Sequence, residues 1–200
     1  MPQISPQEFK RVPLRVHEFL ADVPLHDVWA VDLPRIRPGI TLDEFLREAN
    51  PHQCRLSPGT RALLGIRFFL GRLLGWDRES TAMAGETFAT RMTAAESSRS
   101  LVPAGTHEGL FRVVYRFENE QLLEVINRTA HGAALSALVE AGNAYRFYFG
   151  IYVRSVSPFT PVYMAMIDPF RKRVVYPSLL RRVRSQWDKL SAQPSARTPL

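Results

Sequence analysis

A single cysteine, Cys54, is all that this chain of 200 residues carries. No internal disulfide can form, so the fold must be held by its core. Long apolar runs are missing as well. The most apolar stretch, Ala62–Trp76, is broken by Arg67 and Arg72, and it is too short and too charged to span a bilayer. The opening residues, MPQISPQEFKRVPLRV, hold no apolar segment of the kind a secretory leader needs. Both readings lead to the expectation of a cytoplasmic protein. Metal-ligand spacing is absent too. His52 and Cys54 have no third partner nearby, and His17, His26 and His107 are scattered, so no metal ion is expected. There is no G-x-S-x-G elbow, P-loop or G-x-G-x-x-G fingerprint. Serine hydrolysis, nucleoside-triphosphate use and dinucleotide chemistry are disfavoured, and no cofactor is expected.

What is present is a globular composition, 46% hydrophobic and 22% charged, in a length that suits one domain. The expected organisation is an N-terminal lead-in over 1–23, partly ordered, one domain over 24–190, and a flexible tail over 191–200. The net charge of +7 is uneven. Arg171, Lys172, Arg173, Arg181, Arg182, Arg184 and Lys189 face only Asp188 in their stretch. Such a run is first a solvated helix face favouring the C-terminal end of the helix dipole. It also permits weak contact with an acidic ligand or an anionic membrane surface. Nucleic acid is not the expected partner.

Strand and helix signals alternate along the chain. Leu25–Leu33 reads as a strand ended by Pro34. Thr41 with Glu44 forms a capping-box signature for a helix over Thr41–Ala49, and Ser57-Pro58 starts a second over Pro58–Trp76. Thr87–Met92 reads as a short strand, and Thr93–Ser100 as a helical turn. Leu110–Phe117 alternates apolar with basic residues. Asn119-Glu120 reads as a hairpin loop, leading into Gln121–Arg128 and then His131–Glu140. Ala141-Gly142-Asn143 is a turn. Tyr145–Arg154 is a long strand whose Gly150 signals a bulge or bend. Phe170, Val174, Leu180, Val183 and Trp187 make the stripe of a terminal helix. Pro169 lies inside it and predicts a distortion near Asp168–Pro169, with a weaker one near Pro177.

The fold class expected is α+β: a curved antiparallel sheet around a long, proline-kinked C-terminal helix, with two short helices after the first strand. Three segments carry a resemblance: RSLVPAGTHEGLF (Arg99–Phe111), LLEVINRTAH (Leu122–His131) and YMAMIDPFRKRVVYPSLL (Tyr163–Leu180). They resemble the bacterial domain-of-unknown-function family 2867 over roughly Leu25 to Trp187. The pattern Tyr163-x-x-x-Ile167-x-Pro169-Phe170-Arg171 is the most specific. That family is similar in outline to the START-like helix-grip (SRPBCC) superfamily. The likeness implies a terminal helix packed into the sheet and an apolar ligand between them. It brings no catalytic motif.

The residues offer a candidate ligand site. A loop at Asn119-Glu120 sets Tyr115 opposite Glu124, and opposed residues share a face. Glu124 is then expected beside Phe111, Val113 and Tyr115, turned toward the terminal helix, with Arg128 and His131 nearby. A carboxylate there must find a donor or shift its pKa. Tyr115 and Tyr148 carry polar tips on apolar rings, which suits a cavity wall. The expected partner is a small apolar or amphipathic molecule. Two other readings remain: a cyclase- or dehydratase-like enzyme using Glu124 or His131, and an adaptor whose basic helix meets an anionic membrane.

Overall fold

A computed structural model of the chain describes residues 3–48, 87–126 and 130–192. The expected helix Pro58–Trp76, His52, Cys54 and Arg128 lie outside the described residues. The fold is α+β, and among the described residues it has a six-stranded open antiparallel sheet and a long C-terminal helix.

Two short helices open the chain, α1 (Pro6–Lys10) and α2 (Val16–Phe19). Strand β1 (Leu25–Pro34) follows, then α3 (Leu42–Glu48). The Thr41 hydroxyl accepts the Glu44 N–H at 3.1 Å. The Glu44 carboxylate turns to Arg37 instead of completing the box. Phe88–Arg91 is a 3-10 helix, not the strand expected there. Thr87 is the reason: its side chain accepts the Ala89 N–H and closes a turn. Thr93 and Glu96 cap each other reciprocally at the start of α4 (Ala94–Arg99). Strands β2 (His107–Glu108), β3 (Phe111–Arg116), β4 (Glu120–Ile126), β5 (His131–Ala141) and β6 (Ala144–Arg154) form a meander. The strand order is β1-β6-β5-β4-β3-β2, so the first strand lies beside the last.

Side chains alternate between two cores, one on each face of the sheet. Val28, Ala30, Ala133, Leu135, Ala137, Tyr148 and Tyr152 join the first, with Phe9, Val16, Phe19 and Leu20 of the N-terminal segment. Val31, Leu33, Leu138, Tyr145 and Phe147 join the second, with Phe45 and with Leu180, Val183 and Trp187 of the terminal helix. The segment read as a lead-in is therefore one of three layers. Its short helices are too brief to stand alone, and burial of Phe9, at 0% exposure, holds them on the sheet.

Two register expectations fail. The β3–β4 loop is Glu118-Asn119, closed by the Phe117 N–H to Glu120 carbonyl bond at 2.8 Å. Arg116 pairs with Gln121 and Tyr115 with Leu122, and a register shift between Val113 and Tyr115 sets Arg112 opposite Glu124. That irregularity sends both Val114 and Tyr115 into the first core. Gly150 sits in regular register between Val28 and Leu135. The bend signal belongs instead to β1, whose pairing with β6 shifts between Leu25 and Asp27.

The described residues end in one continuous helical rod: α5 (Thr160–Phe170), a π-helical turn (Arg171–Val175) and α6 (Tyr176–Ala192). The expected distortion is this π-turn, flanked by Pro169 and Pro177. Pro177 lacks an N–H and crowds the carbonyl of Arg173 inside the turn, which the widening relieves, whereas Pro169 sits in the last turn of α5.

Phe9→Ala tests the role of the N-terminal layer. Loss of a fully buried phenylalanine should cost about 3–5 kcal/mol, read by urea unfolding. A detached lead-in would leave stability within about 0.5 kcal/mol.

Candidate functional site

Two backbone irregularities meet at one buried ion pair. The shifted start of β1 carries His26 and Asp27, and the π-turn carries Arg171. Bulges and π-turns both concentrate at functional sites. Arg171 Nη2 donates to Asp27 Oδ2 at 3.2 Å, and the Tyr176 hydroxyl donates to the same oxygen at 3.3 Å. Arg171 also bonds the Tyr176 hydroxyl. In a regular α-helix residues five apart point about 140° away from each other. The i to i+5 spacing of a π-turn stacks them, and this lets Arg171 and Tyr176 reach one carboxylate.

The cluster extends outward. Arg171 Nη1 donates to Asp168 Oδ1 at 3.0 Å, and His26 Nε2 bonds Asp168 Oδ1 at 2.9 Å. Lys172 Nζ stands 3.3 Å from Asp168 Oδ2. Inward lie rings: Tyr176 packs against Trp29 at 5.3 Å and Phe149 at 5.6 Å between centroids. Two of the buried polar atoms that have no partner among the described residues lie here, Asp27 Oδ1 and Trp29 Nε1; the others, on His17, Arg116 and His131, lie elsewhere. They belong to alternate residues of β1, on the face covered by the terminal helix.

Electrostatics follow burial. The Asp27 side chain is 0% exposed, and burial pushes its carboxyl above the ordinary range despite Arg171, His26 and Tyr176. Burial likewise raises the Tyr176 phenol, against the pull of Arg171. For Asp168, burial acts upward, but hydrogen bonding from His26 and the charges of His26 and Arg171 prevail, so its carboxyl lies below the ordinary value. His26, Asp27 and Asp168 offer three ligand atoms within 4.8 Å of one another, enough in number for a metal site. Arg171 and Lys172 already bond those carboxylates. A divalent ion would have to displace them, so the group reads as an ion-pair network.

The residues singled out in the sequence sit elsewhere. Glu124 and His131 do come together, with Glu124 Oε2 3.1 Å from His131 Nε2. Glu124 Oε2 also accepts the Phe88 N–H at 2.8 Å, and Oε1 accepts the Thr87 hydroxyl. Burial acts upward on the Glu124 carboxyl, yet these hydrogen bonds hold it below its ordinary value. His131 stacks on Phe88 at 3.8 Å, and its Nδ1 has no partner among the described residues. Both side chains are almost fully buried. The pair thus fastens the 3-10 turn to the sheet. It lies with Tyr115, Leu122 and Ala133 on the face away from the terminal helix, which corrects the expected orientation of Glu124. Tyr115 donates to Glu120 beneath α2, and its ring meets Phe19 at 5.3 Å. Tyr148 packs on Phe9 at 5.7 Å. Both are core residues of the N-terminal layer. Arg128 lies outside the described residues.

The sequence alone marks His26 only as a scattered histidine and Asp168 only as the place of a helix distortion, and it does not single out Asp27, Trp29 or Tyr176. One signal marked the place: the Ile-x-Pro-Phe-Arg pattern contains Asp168 and ends on Arg171. A half-open cleft of ≈ 660 Å³ adjoins the shifted end of β1, lined by His17, Leu20, Val23, Pro24, Leu25 and Tyr152 among others.

Asp168 and Asp27 make opposite contributions to the pH dependence of stability. Asp168, lowered on folding, stabilises above its unfolded pKa of about 3.9, and this fades as pH falls through its folded value. Asp27, raised on folding, favours the folded state below about 3.9 and loses that contribution as pH rises through its folded value. Urea unfolding between about pH 3 and pH 7 reads both signs. D168N should be less stable than the parent at neutral pH by on the order of 1 kcal/mol, with the gap closing in acid. The D27N difference should shift in favour of the variant as pH rises.

Comparison with known proteins places the chain. The profile of the family described as "Protein of unknown function (DUF2867)" matches residues 19–178. No curated protein and no solved structure gives a match. With most of its length matched, from the end of α2 to the first turn of α6, the chain belongs to the DUF2867 family.

Proposed function

We propose that this chain is a small-molecule binding protein whose ligand lies between the sheet and the terminal helix, at the Asp27–Trp29–Tyr176 junction. The carrying observation is the pair of unpartnered buried atoms, Asp27 Oδ1 and Trp29 Nε1. A buried acceptor and a buried donor each cost free energy when left alone. A neutral group that both donates and accepts, such as a hydroxyl or a primary amide, satisfies the two together. The rings of Trp29, Phe149 and Tyr176 supply an apolar wall. Two carboxylates already surround Arg171, so a neutral head group suits the site better than an acidic one. The helix-grip reading agrees with this placement. Its support is the strand order, with β1 beside the last strand, and the long terminal helix over one face.

The enzyme reading through Glu124 and His131 has their convergence in its favour. It requires the Phe88 turn to move before any substrate reaches His131 Nδ1.

Titration calorimetry with decanol and decanamide tests the binding role. Binding of at least one is expected, with W29F and D27N each weakening it about tenfold. His17→Gln in the neighbouring cleft should leave affinity unchanged. No binding by either probe, or a loss confined to the His17 variant, overturns the assignment.

A further inference from the structure

The terminal rod carries a second row of exposed apolar side chains. Val162, Met166 and Phe170 are 60%, 46% and 52% exposed. Their spacing of four and four residues puts them on one side of α5. Tyr163 and Met164 on a neighbouring side are packed. Further along the same rod the exposed positions turn basic: Arg173, Arg181, Arg184 and Lys189, with Asp188 the exposed acid among them. The solvent side of one continuous helix thus runs from apolar to cationic.

We propose that this side of the rod docks on an anionic lipid bilayer, with α5 pressed into the headgroup boundary and the arginines of α6 facing lipid phosphates and carboxylates. Charge decides the occupant. Interfacial helices combine an apolar row with cations that meet an anionic leaflet. A second copy of the chain would set cation against cation. Three partly exposed side chains also provide far less than the roughly 800 Å² per partner of a stable protein interface. Among the described residues no helix is long and apolar enough to cross a membrane, so the rod lies on the surface rather than spanning it. The inference does not depend on the ligand site.

Co-sedimentation tests it with vesicles of phosphatidylcholine alone and of phosphatidylcholine with about one-third phosphatidylserine. The full chain should sediment with the mixed vesicles only, and less as salt rises. R173Q and R184Q should each lower partition about fivefold. V162E and F170E, at exposed positions that leave the core intact, should abolish it while circular dichroism stays that of the parent. Absence of binding to the mixed vesicles overturns the proposal, as does binding that ignores both sets of substitutions. A doubling of mass at micromolar concentration that Met166→Glu removes would assign the row to a second copy, and overturns it equally.

Discussion

The ion pair between Asp27 and Arg171, 3.2 Å long and closed to solvent on the carboxylate side, ties the π-turn of the terminal rod to the sheet, beside the apolar core that holds α6 there. It is a costly joint. Desolvating both charges consumes most of their attraction, and an apolar pair of the same shape often does as well or better. The protein meets the cost in part: Tyr176 bonds the carboxylate, and Asp168 bonds the guanidinium. One carboxylate oxygen is left over. Stability alone accounts poorly for such an arrangement, whereas a site that must receive a donor accounts for it directly. The same joint explains the backbone around it. A straight α-helix cannot aim residues 171 and 176 at one oxygen, and a regular β1 edge lacks the shift that precedes Asp27.

Other buried acids show the contrast. Glu120 accepts the Arg15 and Val16 N–H groups at 2.7 and 3.0 Å, together with the Tyr115 hydroxyl. It is the anion at the first turn of α2, and burial still pushes its carboxyl up. Glu124 is satisfied by Thr87, Phe88 and His131. Both carboxylates pin an outlying segment to the sheet on the face away from the terminal rod. A satisfied acid that fastens a turn explains itself as structure, and an acid with an open oxygen among aromatic rings does not. This difference, rather than burial or charge, separates Asp27 from the rest.

Most of the sheet was legible because alternation is a local property. The Val28–Leu33 and Tyr145–Val153 patterns predict both strands and both faces, and Gly142, at φ 61°, makes the β5–β6 turn where the sequence placed it. The β3–β4 register was not legible. Its irregularity falls at Val113–Tyr115, where no glycine or proline marks it, and one residue of slip changes which side chains share a face. The N-terminal layer was hidden by its polar residues, although Phe9, Val16, Phe19 and Leu20 were all in view. The junction was beyond local reading: Asp27 and Arg171 stand 144 positions apart, and only the family pattern ending at Arg171 pointed to one half of it.

The two irregular features of the rod also set its outer side. Phe170 and Arg171 are neighbours, yet Phe170 is 52% exposed while Arg171 turns inward to the junction. The π-turn begins between them, so the residue that ends the exposed apolar row is bonded to the residue that closes the site. A helix without the wide turn would carry Tyr176 away from Asp27, and would rotate Arg181 and Arg184 relative to Val162 and Met166. Pro169 and Pro177 therefore do more than interrupt a helix. The wide turn that lies between them fixes at once which side of the rod faces the sheet and which side carries the row of apolar and cationic groups.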